Sequence, residues 1–379
     1  SSTRRVAIPS TSGAGEPREG SRARPVPLRV SPASRTPNRR KRRGGADAPR
    51  VVTIPVPTPF PVGPINAHLV LGEPLTLVDT GPLTEDAWDA LRAGLARHGV
   101  SVGDVERVLL THGHQDHFGL AARIERVGRA RFLGGRLDRE HFRGRRNRRL
   151  LLDALTRAGF GGLERLTMVA MTTAVDHFAE PLSAWDELVG GEVLPGDGWS
   201  VVVRSVPGHT PGSLTFEVPE AGVLFTGDTV LRDITPNAIV DEDPERPGET
   251  FRSVSRYFSS LDSIEAGASC LLTGHGGRIR DFAEHRAKME GRYAFRVGQI
   301  ERALSGRPKS VADLRRRIFP SVRPMDLFLA YSEVLGFLMY LEDLGRAERV
   351  PGRPVDRWIS PMGVSPEGSG LPSTLYGNP

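Results

Sequence analysis

The sequence is poor in several features that would place it in a protein class at once. It has one cysteine, Cys270, among 379 residues. An internal disulfide framework is therefore excluded, as is usual in a reducing cytoplasm. No uninterrupted run of eighteen apolar residues occurs, although a membrane-spanning helix needs about that length. The first fifty residues also lack the apolar segment of a secretory signal. We therefore expect a cytoplasmic protein without a membrane partner.

Acidic residues are scarce at the amino-terminal end. Residues 1–50 contain thirteen Lys/Arg and three Asp/Glu, which leaves a net charge of −4 for residues 51–379 out of the total of +6. The sequence pI of about 9.9 thus reflects this segment and not the rest of the chain. Its Ser, Pro and Gly content and the basic run at 39–43 predict a disordered, solubilising leader. Contact with RNA or an acidic partner is the alternative role.

Ligand-type side chains are concentrated in the segment 111–119, Thr-His-Gly-His-Gln-Asp-His-Phe-Gly. Val105–Leu110 before it is predicted to be a buried strand, and Gly119–Val127 after it a helix. The histidines would therefore lie on a strand-to-helix turn. Imidazole together with carboxylate favours zinc or iron. Four candidate ligands come from this turn: His112, His114, Asp116 and His117.

One short turn cannot complete two coordination shells, so further ligands are expected at other strand ends. The segment Pro-Gly-His-Thr-Pro-Gly at 207–212 follows an apolar strand and contains His209. Phe-Thr-Gly-Asp at 225–228 and Thr-Gly-His-Gly at 273–276 place Asp228 and His275 after two further apolar stretches. Asp79 follows a strand of the same form upstream.

These motifs and their order resemble the metallo-β-lactamase superfamily of binuclear metallohydrolases over about residues 51–290. The resemblance implies an α/β fold, an αββα sandwich. It also implies that His112, His114 and His209 bind one divalent ion, that Asp116, His117 and His275 bind another, and that Asp228 bridges them. Asp79 would orient the ligand turn without binding an ion itself. Zn²⁺ is the expected metal, with iron or manganese as alternatives.

The resemblance implies hydrolysis by hydroxide. Two ions that share a water lower its pKa toward neutrality, and one of them can polarise the substrate oxygen. Asp116 is the predicted catalytic residue, because an oxygen not used for coordination could orient the nucleophile and carry a proton to the leaving group.

A helical insertion is predicted at about 135–192, between the first and second ligand motifs. It could cover the site as a lid. Its arginines would then favour a small anionic substrate, or RNA, whereas a solvated helix face is the equally weighted alternative. The arginines concerned are Arg139, Arg143, Arg145, Arg146, Arg148 and Arg149. His141 and His177 lie in the insertion without a matching motif and are not predicted to be ligands.

The carboxyl-terminal part is predicted to be helical, with helices at Asp281–Leu304, Ser310–Ile318 and Met325–Leu344 and a strand at Arg346–Val350. This order resembles a small winged-helix domain found in one branch of the superfamily. The predicted organisation is therefore a leader at 1–50, a catalytic domain at 51–290, a winged-helix-like domain at 291–354 and a tail at 355–379.

The predicted function is hydrolysis of a thioester or related activated ester. An RNA-cleaving phosphodiesterase with the same hydroxide is the alternative, because of the arginines and the winged-helix resemblance. A metal-bearing nucleic-acid-binding module without turnover is the alternative from another class. The intact ligand set argues against it.

Overall fold

A computed structural model describes residues 48–145, 147–236, 239–264 and 269–361. The predicted leader lies almost wholly outside these residues, as do Arg146 and the end of the predicted tail. Residues 46–379 cluster as one unit, so the domain boundaries stay a prediction.

The first sheet has six strands in the order β1 to β6. β1 and β2 are antiparallel, and β3, β4, β5 and β6 run parallel to one another. β2 and β4 are buried along nearly their whole length, as expected of strands covered on both faces. The strands are Arg50–Val56, Ile65–Leu71, Thr76–Val78, Arg107–Leu110, Arg131–Gly135 and Asp186–Leu188.

The second sheet has five strands in the order β11-β10-β9-β8-β7. β10 and β11 are parallel, and the other neighbours are antiparallel. In β8, Val201 and Val203 alternate with more exposed residues and point into the space between the sheets. The strands are Val193–Pro195, Ser200–Ser205, Leu214–Val218, Val223–Gly227 and Cys270–Thr273.

Helices cover the outer faces of both sheets. α1 (Glu85–Ala96) is capped by Thr84, whose hydroxyl accepts a hydrogen bond from the Ala87 amide (3.1 Å). It packs on the first sheet with α3 (Ala121–Val127), which follows the single turn α2 (Gln115–Phe118). α7 (Ser253–Ile264) and later helices cover the second sheet. The predicted αββα sandwich is confirmed.

The insertion contains three helices, α4 (Arg139–Phe142), α5 (Arg148–Arg157) and α6 (Gly162–Asp176). α4 ends before Gly144, whose φ of 65° lies in the left-handed region that favours glycine.

The carboxyl-terminal segment comprises α8 (Phe282–Leu304), α9 (Val311–Ile318), α10 (Leu327–Asp343) and the hairpin β12–β13 (Glu348–Val350 and Arg357–Ile359). α9 begins with a capping box between Ser310 and Asp313. The tail predicted from residue 355 requires correction. β13 falls within it, pairs with β12, and buries Trp358 in the helical core.

Among the residues that the structure describes, one helical stretch, Pro324–Asp343, is long and apolar enough to cross a membrane by length and composition alone, and 56% of its most apolar window is buried. Buried Tyr331, Val334 and Leu338 lie in the core that α8 and α9 share. A core helix of this kind passes the same test, so the finding is weak evidence for a membrane span.

Candidate metal centre

The ligand turn begins at the carboxyl end of β4. His112 and His114 lie between that strand and α2, and Asp116 and His117 lie on the helical turn that follows. The strand is buried, as is the turn apart from the half-buried His114, so the side chains are held by the sandwich.

Asp79 holds this turn from the neighbouring strand. One carboxylate oxygen accepts a hydrogen bond from the Thr111 amide (2.8 Å). The other accepts from the Thr111 hydroxyl and from His117 Nδ1 (both 2.8 Å). Because Nδ1 of His117 donates here, its Nε2 is left to face the centre. Asp79 has φ 56°, a left-handed conformation that aspartate tolerates better than most residues. It thus lies where an orienting residue is expected.

His112, His114 and His209 form the first group. Nδ1 of His114 lies 3.0 Å from Nε2 of His112 and 2.9 Å from Nε2 of His209. Ligand nitrogens around a tetrahedral zinc ion, at 2.0–2.1 Å from it, stand about 3.3 Å apart. The three nitrogens are therefore close to the spacing that one ion needs.

Asp116, His117 and His275 form the second group, with Nε2 of His275 3.3 Å from Asp116 Oδ2. Asp228 lies between the groups. Its Oδ1 is 3.3 Å from His117 Nε2, and its Oδ2 is 3.7 Å from Nε2 of both His209 and His275. The seven ligands named from the sequence thus converge at one place, and Asp228 faces both groups.

The loop that carries His275 is anchored to the first sheet. Asn66 donates its side-chain amide to the carbonyl oxygens of Thr273 and Gly276 (both 2.9 Å). Nδ1 of His275 donates to the Pro64 carbonyl (3.0 Å), which again leaves Nε2 for the centre. Asn66 is therefore a loop anchor in this structure.

The donor set fits divalent metal. Three buried atoms, His117 Nε2, His275 Nε2 and Asp228 Oδ1, have no hydrogen-bond partner within the part of the chain that the structure describes. A Cβ added at Gly274 would lie 2.3 Å from Asp228 Oδ1 and 2.8 Å from His117 Cε1, so only glycine keeps this space open. Buried polar groups normally find partners. Here an ion can be the partner.

The electrostatic field at the second group and Asp228 attracts positive charge. Burial opposes protonation of His117, but the carboxylates of Asp228, Asp79 and Asp116 outweigh burial and hold its pKa well above the usual value. Burial likewise opposes ionisation of Asp228, but the surrounding imidazoles lower its pKa. A bound cation would satisfy the same field.

Asp138 is a buried carboxylate that the sequence did not single out. It accepts hydrogen bonds from the amides of Gly113 and Gly212 and from the hydroxyl of Thr210, each at 2.7 Å. Gly113 separates two ligands of the first group, and Thr210 follows the third. Burial raises the pKa of Asp138, whereas these donors favour its ionised form. One side chain therefore ties together the two loops that build the first group.

A cavity of about 520 Å³ opens beside His114. Its mouth is polar. His141, which no motif marked, lies there with its ring centroid 6.5 Å from that of His114 and its Nε2 2.7 Å from a carboxylate oxygen of Asp241. The remaining wall includes an apolar part made by α5, α10 and a loop. Its residues are Leu150, Leu151, Ala154, Ile239, Val240 and Phe328.

The insertion arginines are mostly engaged with carboxylates. Arg143 and Arg145 lie near Glu140 (3.0 and 3.9 Å), Arg139 near Glu187 (3.1 Å), and Arg148 near Asp176 (3.5 Å). The opposite rim of the cavity is acidic, from Asp241 to Glu245. The cavity is thus lined by the insertion but is not uniformly cationic.

An αββα sandwich with histidine and aspartate clusters at its strand ends defines a metal-dependent hydrolase class. The Metallo-beta-lactamase superfamily profile matches residues 60–286, more than half of the chain, and the protein belongs to that superfamily.

Known relatives extend this result. The chain is 30% identical over 301 residues to the "Probable metallo-hydrolase YqjP" of Bacillus subtilis, with 77% of this chain and 92% of that protein covered. It is 28% identical to the hydroxyacylglutathione hydrolase of Brucella ovis, but over only 36% of this chain and 48% of that enzyme.

Solved structures agree with the fold. A metallo-beta-lactamase family protein from Thermus thermophilus matches with a TM-score of 0.68 and 28% identity, covering 82% of this chain and 98% of its own. A beta-lactamase domain protein from Burkholderia ambifaria has a TM-score of 0.70 and 23% identity over 82% of this chain and 92% of its own, which supports the fold alone.

Proposed function

We propose that the protein is a dinuclear metal-dependent hydrolase of a thioester or related activated ester. The observation that carries this proposal is the cavity beside His114, where an apolar wall from α5 and α10 leads to the ligand cluster. An acyl chain would fit that wall and bring its carbonyl to the cluster. The partial similarity to hydroxyacylglutathione hydrolases, which act on a thioester by their name, supports the same class.

Two divalent ions, when bound, would lower the pKa of a shared water and polarise the substrate oxygen. His112, His114 and His209 would hold one ion and Asp116, His117 and His275 the other, with Asp228 between them. Five imidazoles and two carboxylates suit Zn²⁺, and iron or manganese are the alternatives. The chain's own catalytic group would be Asp116, which orients the nucleophile and carries a proton to the leaving group.

RNA cleavage is the second candidate. The order α8, α9, α10 and hairpin, with a bridge between Lys309 and Trp358, supports a winged-helix-like domain that covers the predicted 291–354 and continues to the end of β13 at Ile359. The ion-paired arginines at the cavity do not favour RNA at the active site.

We place the protein in the cytoplasm, because its single cysteine fits a reducing compartment.

The test compares hydrolysis of an acyl-CoA series and of single-stranded RNA by metal-analysed protein. Asp116→Ala should lose turnover and metal of the second group together. Unchanged turnover with both metals retained would remove Asp116 from its role.

Acyl-chain preference tests the cavity itself. Leu151→Ala widens its apolar wall and should shift kcat/KM toward longer chains. Leu152→Ala is the matched control, because Leu152 is the neighbouring residue on α5, is 42% exposed and does not line the cavity. Equal shifts in chain-length preference in both variants would mean that the cavity does not bind the acyl chain. Turnover of RNA without turnover of any acyl-CoA would favour the second candidate.

A further inference from the structure

A second charged site lies at the carboxyl-terminal segment. An open depression of about 860 Å³ is formed by the turn between α8 and α9, the exposed side of α9, and β13. We call it the basic cleft. Five cationic residues line it, with Pro308 and Asp313 as the remaining lining: Arg307, Lys309, Arg316, Arg317 and Arg357.

Two carboxylates lie near these cations, and both have other partners. Asp313 lies 3.0 Å from Arg316 and 3.9 Å from Arg357, and it also accepts the hydroxyl and amide hydrogens of Ser310 as the α9 cap. Glu164 lies 3.8 Å from Arg316 and is also paired with Arg315 at 2.7 Å. Arg307 and Arg317 have no ion pair or side-chain hydrogen bond with any residue that the structure describes. The basic cleft therefore carries positive charge that the protein does not neutralise locally.

The side chains in the basic cleft also repel one another. Nζ of Lys309 donates to the backbone carbonyls of Ser305 (2.7 Å) and Arg307 (3.1 Å), which keeps it beside the arginines. Partial burial, and then the charges of Arg317 and Arg307, lower its pKa. A bound polyanion would relieve this repulsion. The concentration of positive charge is local to the cleft, because residues 51–379 as a whole carry a net negative charge.

The shape and lining indicate which polyanion fits. The depression is open, so a chain can pass through it. Guanidinium groups match phosphate oxygens in two-point hydrogen bonds. The lining contains no aromatic ring to stack on bases and only one apolar residue, Pro308, to enter a lipid layer. α10, the helix that follows α9, buries Tyr331, Val334 and Leu338 in the protein core. That face of α10 is therefore not available to enter a groove of a nucleic acid.

We propose that the basic cleft binds the phosphate backbone of nucleic acid without sequence preference. Its cations would hold phosphates, and bases would stay outside. This site is separate from the cavity beside His114, and the proposal does not depend on which ester the protein hydrolyses.

The test measures fluorescence anisotropy of a labelled single-stranded RNA 20-mer over a series of KCl concentrations. The basic run of the leader could bind RNA by itself. All variants are therefore made in the full chain with residues 39–43 changed to Gln. Arg307→Glu/Arg317→Glu reverses two charges of the basic cleft. Arg97→Glu/Arg129→Glu is the matched control, with the same charge change at two exposed arginines elsewhere.

The reversed cleft should weaken RNA binding by about tenfold or more near 0.1 M KCl. The slope of log K against log [KCl] should become shallower by about 1.4, since each lost contact to single-stranded phosphate accounts for about 0.7. The control should change affinity less than about twofold, and both variants should keep the parent melting temperature.

Three results would overturn the proposal. Equal losses in the cleft and control variants would indicate only net charge. An unchanged salt slope in the cleft variant would place the contacts elsewhere. Equally tight, cleft-dependent binding of poly-glutamate or of phosphatidylserine vesicles would show an acidic-peptide or membrane surface.

Discussion

Asp138 is the residue whose removal tests the architecture of the metal centre most directly. Its carboxylate accepts three hydrogen bonds of 2.7 Å, two of them from the buried backbone amides of Gly113 and Gly212. An orphaned buried donor costs about 1–3 kcal/mol. Asp138→Ala should therefore destabilise the fold by about 2–6 kcal/mol, which approaches the whole stability of an ordinary domain.

Asp138→Asn is the sharper variant because it keeps the side-chain volume. Its single carbonyl oxygen can accept from Gly113 or from Gly212, while its NH₂ group faces the remaining donor. We expect a loss of about 1–3 kcal/mol and a 10- to 100-fold weaker affinity for the ion held by His112, His114 and His209. The other ion should be retained.

The assay is metal titration of the apo-protein with calorimetry and elemental analysis, beside thermal unfolding. Asp356→Asn is the matched control. Asp356 is also a buried carboxylate that accepts from a backbone amide, that of Gly352 (3.0 Å), but it lies in the carboxyl-terminal segment. The control should lose stability and keep both ions. Wild-type affinity at both ions in folded Asp138→Asn, or parallel loss of both, would refute the reasoning.

Three further outcomes are expected. Gly274→Ala should lower the metal content without changing the charge of the site, because its Cβ would enter the space beside Asp228. Gly291→Ala, which has open space around it, should keep the wild-type metal content. Metal analysis of both variants tests this prediction. Burial lowers the pKa of His68 from 6.5 to about 4. The unfolded chain thus binds that proton more tightly, and stability falls by about 3 kcal/mol as pH drops from 6.5 to 4. In His68→Gln, denaturant titrations should show a free energy of unfolding without this loss of about 3 kcal/mol between pH 6.5 and 4. Removal of metal by a chelator should lower the free energy of unfolding by about 3 kcal/mol per site, if the free metal concentration beforehand was a hundred times the Kd of that site. Calorimetry that shows no loss would mean that neither site binds metal.

The ligand turn could be predicted because its chemistry is local. Four ligand-type residues fall within six positions, and the buried strand before them fixes where they lie. Asp79, His209, Asp228 and His275 could be named for a related reason, since each follows its own apolar strand within a short motif. Their convergence depends on strand order, which came from the family resemblance and not from spacing.

Asp138 could not be found in the same way. Gly113 precedes it by 25 residues and Gly212 follows it by 74. An isolated aspartate in the sequence gives no local signal of such contacts. For the insertion arginines the sequence left two alternatives open, a lid that binds an anionic substrate and a solvated helix face. Their sequence run is conspicuous, but the carboxylates that pair with them come from β6, α4 and α6. Glu140 lies within the run itself, but Glu187 and Asp176 come from distant parts of the chain, so the run alone does not give the net charge of this surface.

α5 links the cavity beside His114 to the carboxyl-terminal segment. Near its start, Leu150, Leu151 and Ala154 line the cavity beside His114. At its end, the Arg157 carbonyl accepts the Asp356 amide (2.9 Å) and the Ala158 carbonyl accepts the Ala312 amide (2.9 Å), which binds the insertion to the hairpin and α9. Through these contacts, and through Phe328 of α10 in the cavity lining, the carboxyl-terminal segment helps to form the wall of the cavity beside His114 as well as the basic cleft.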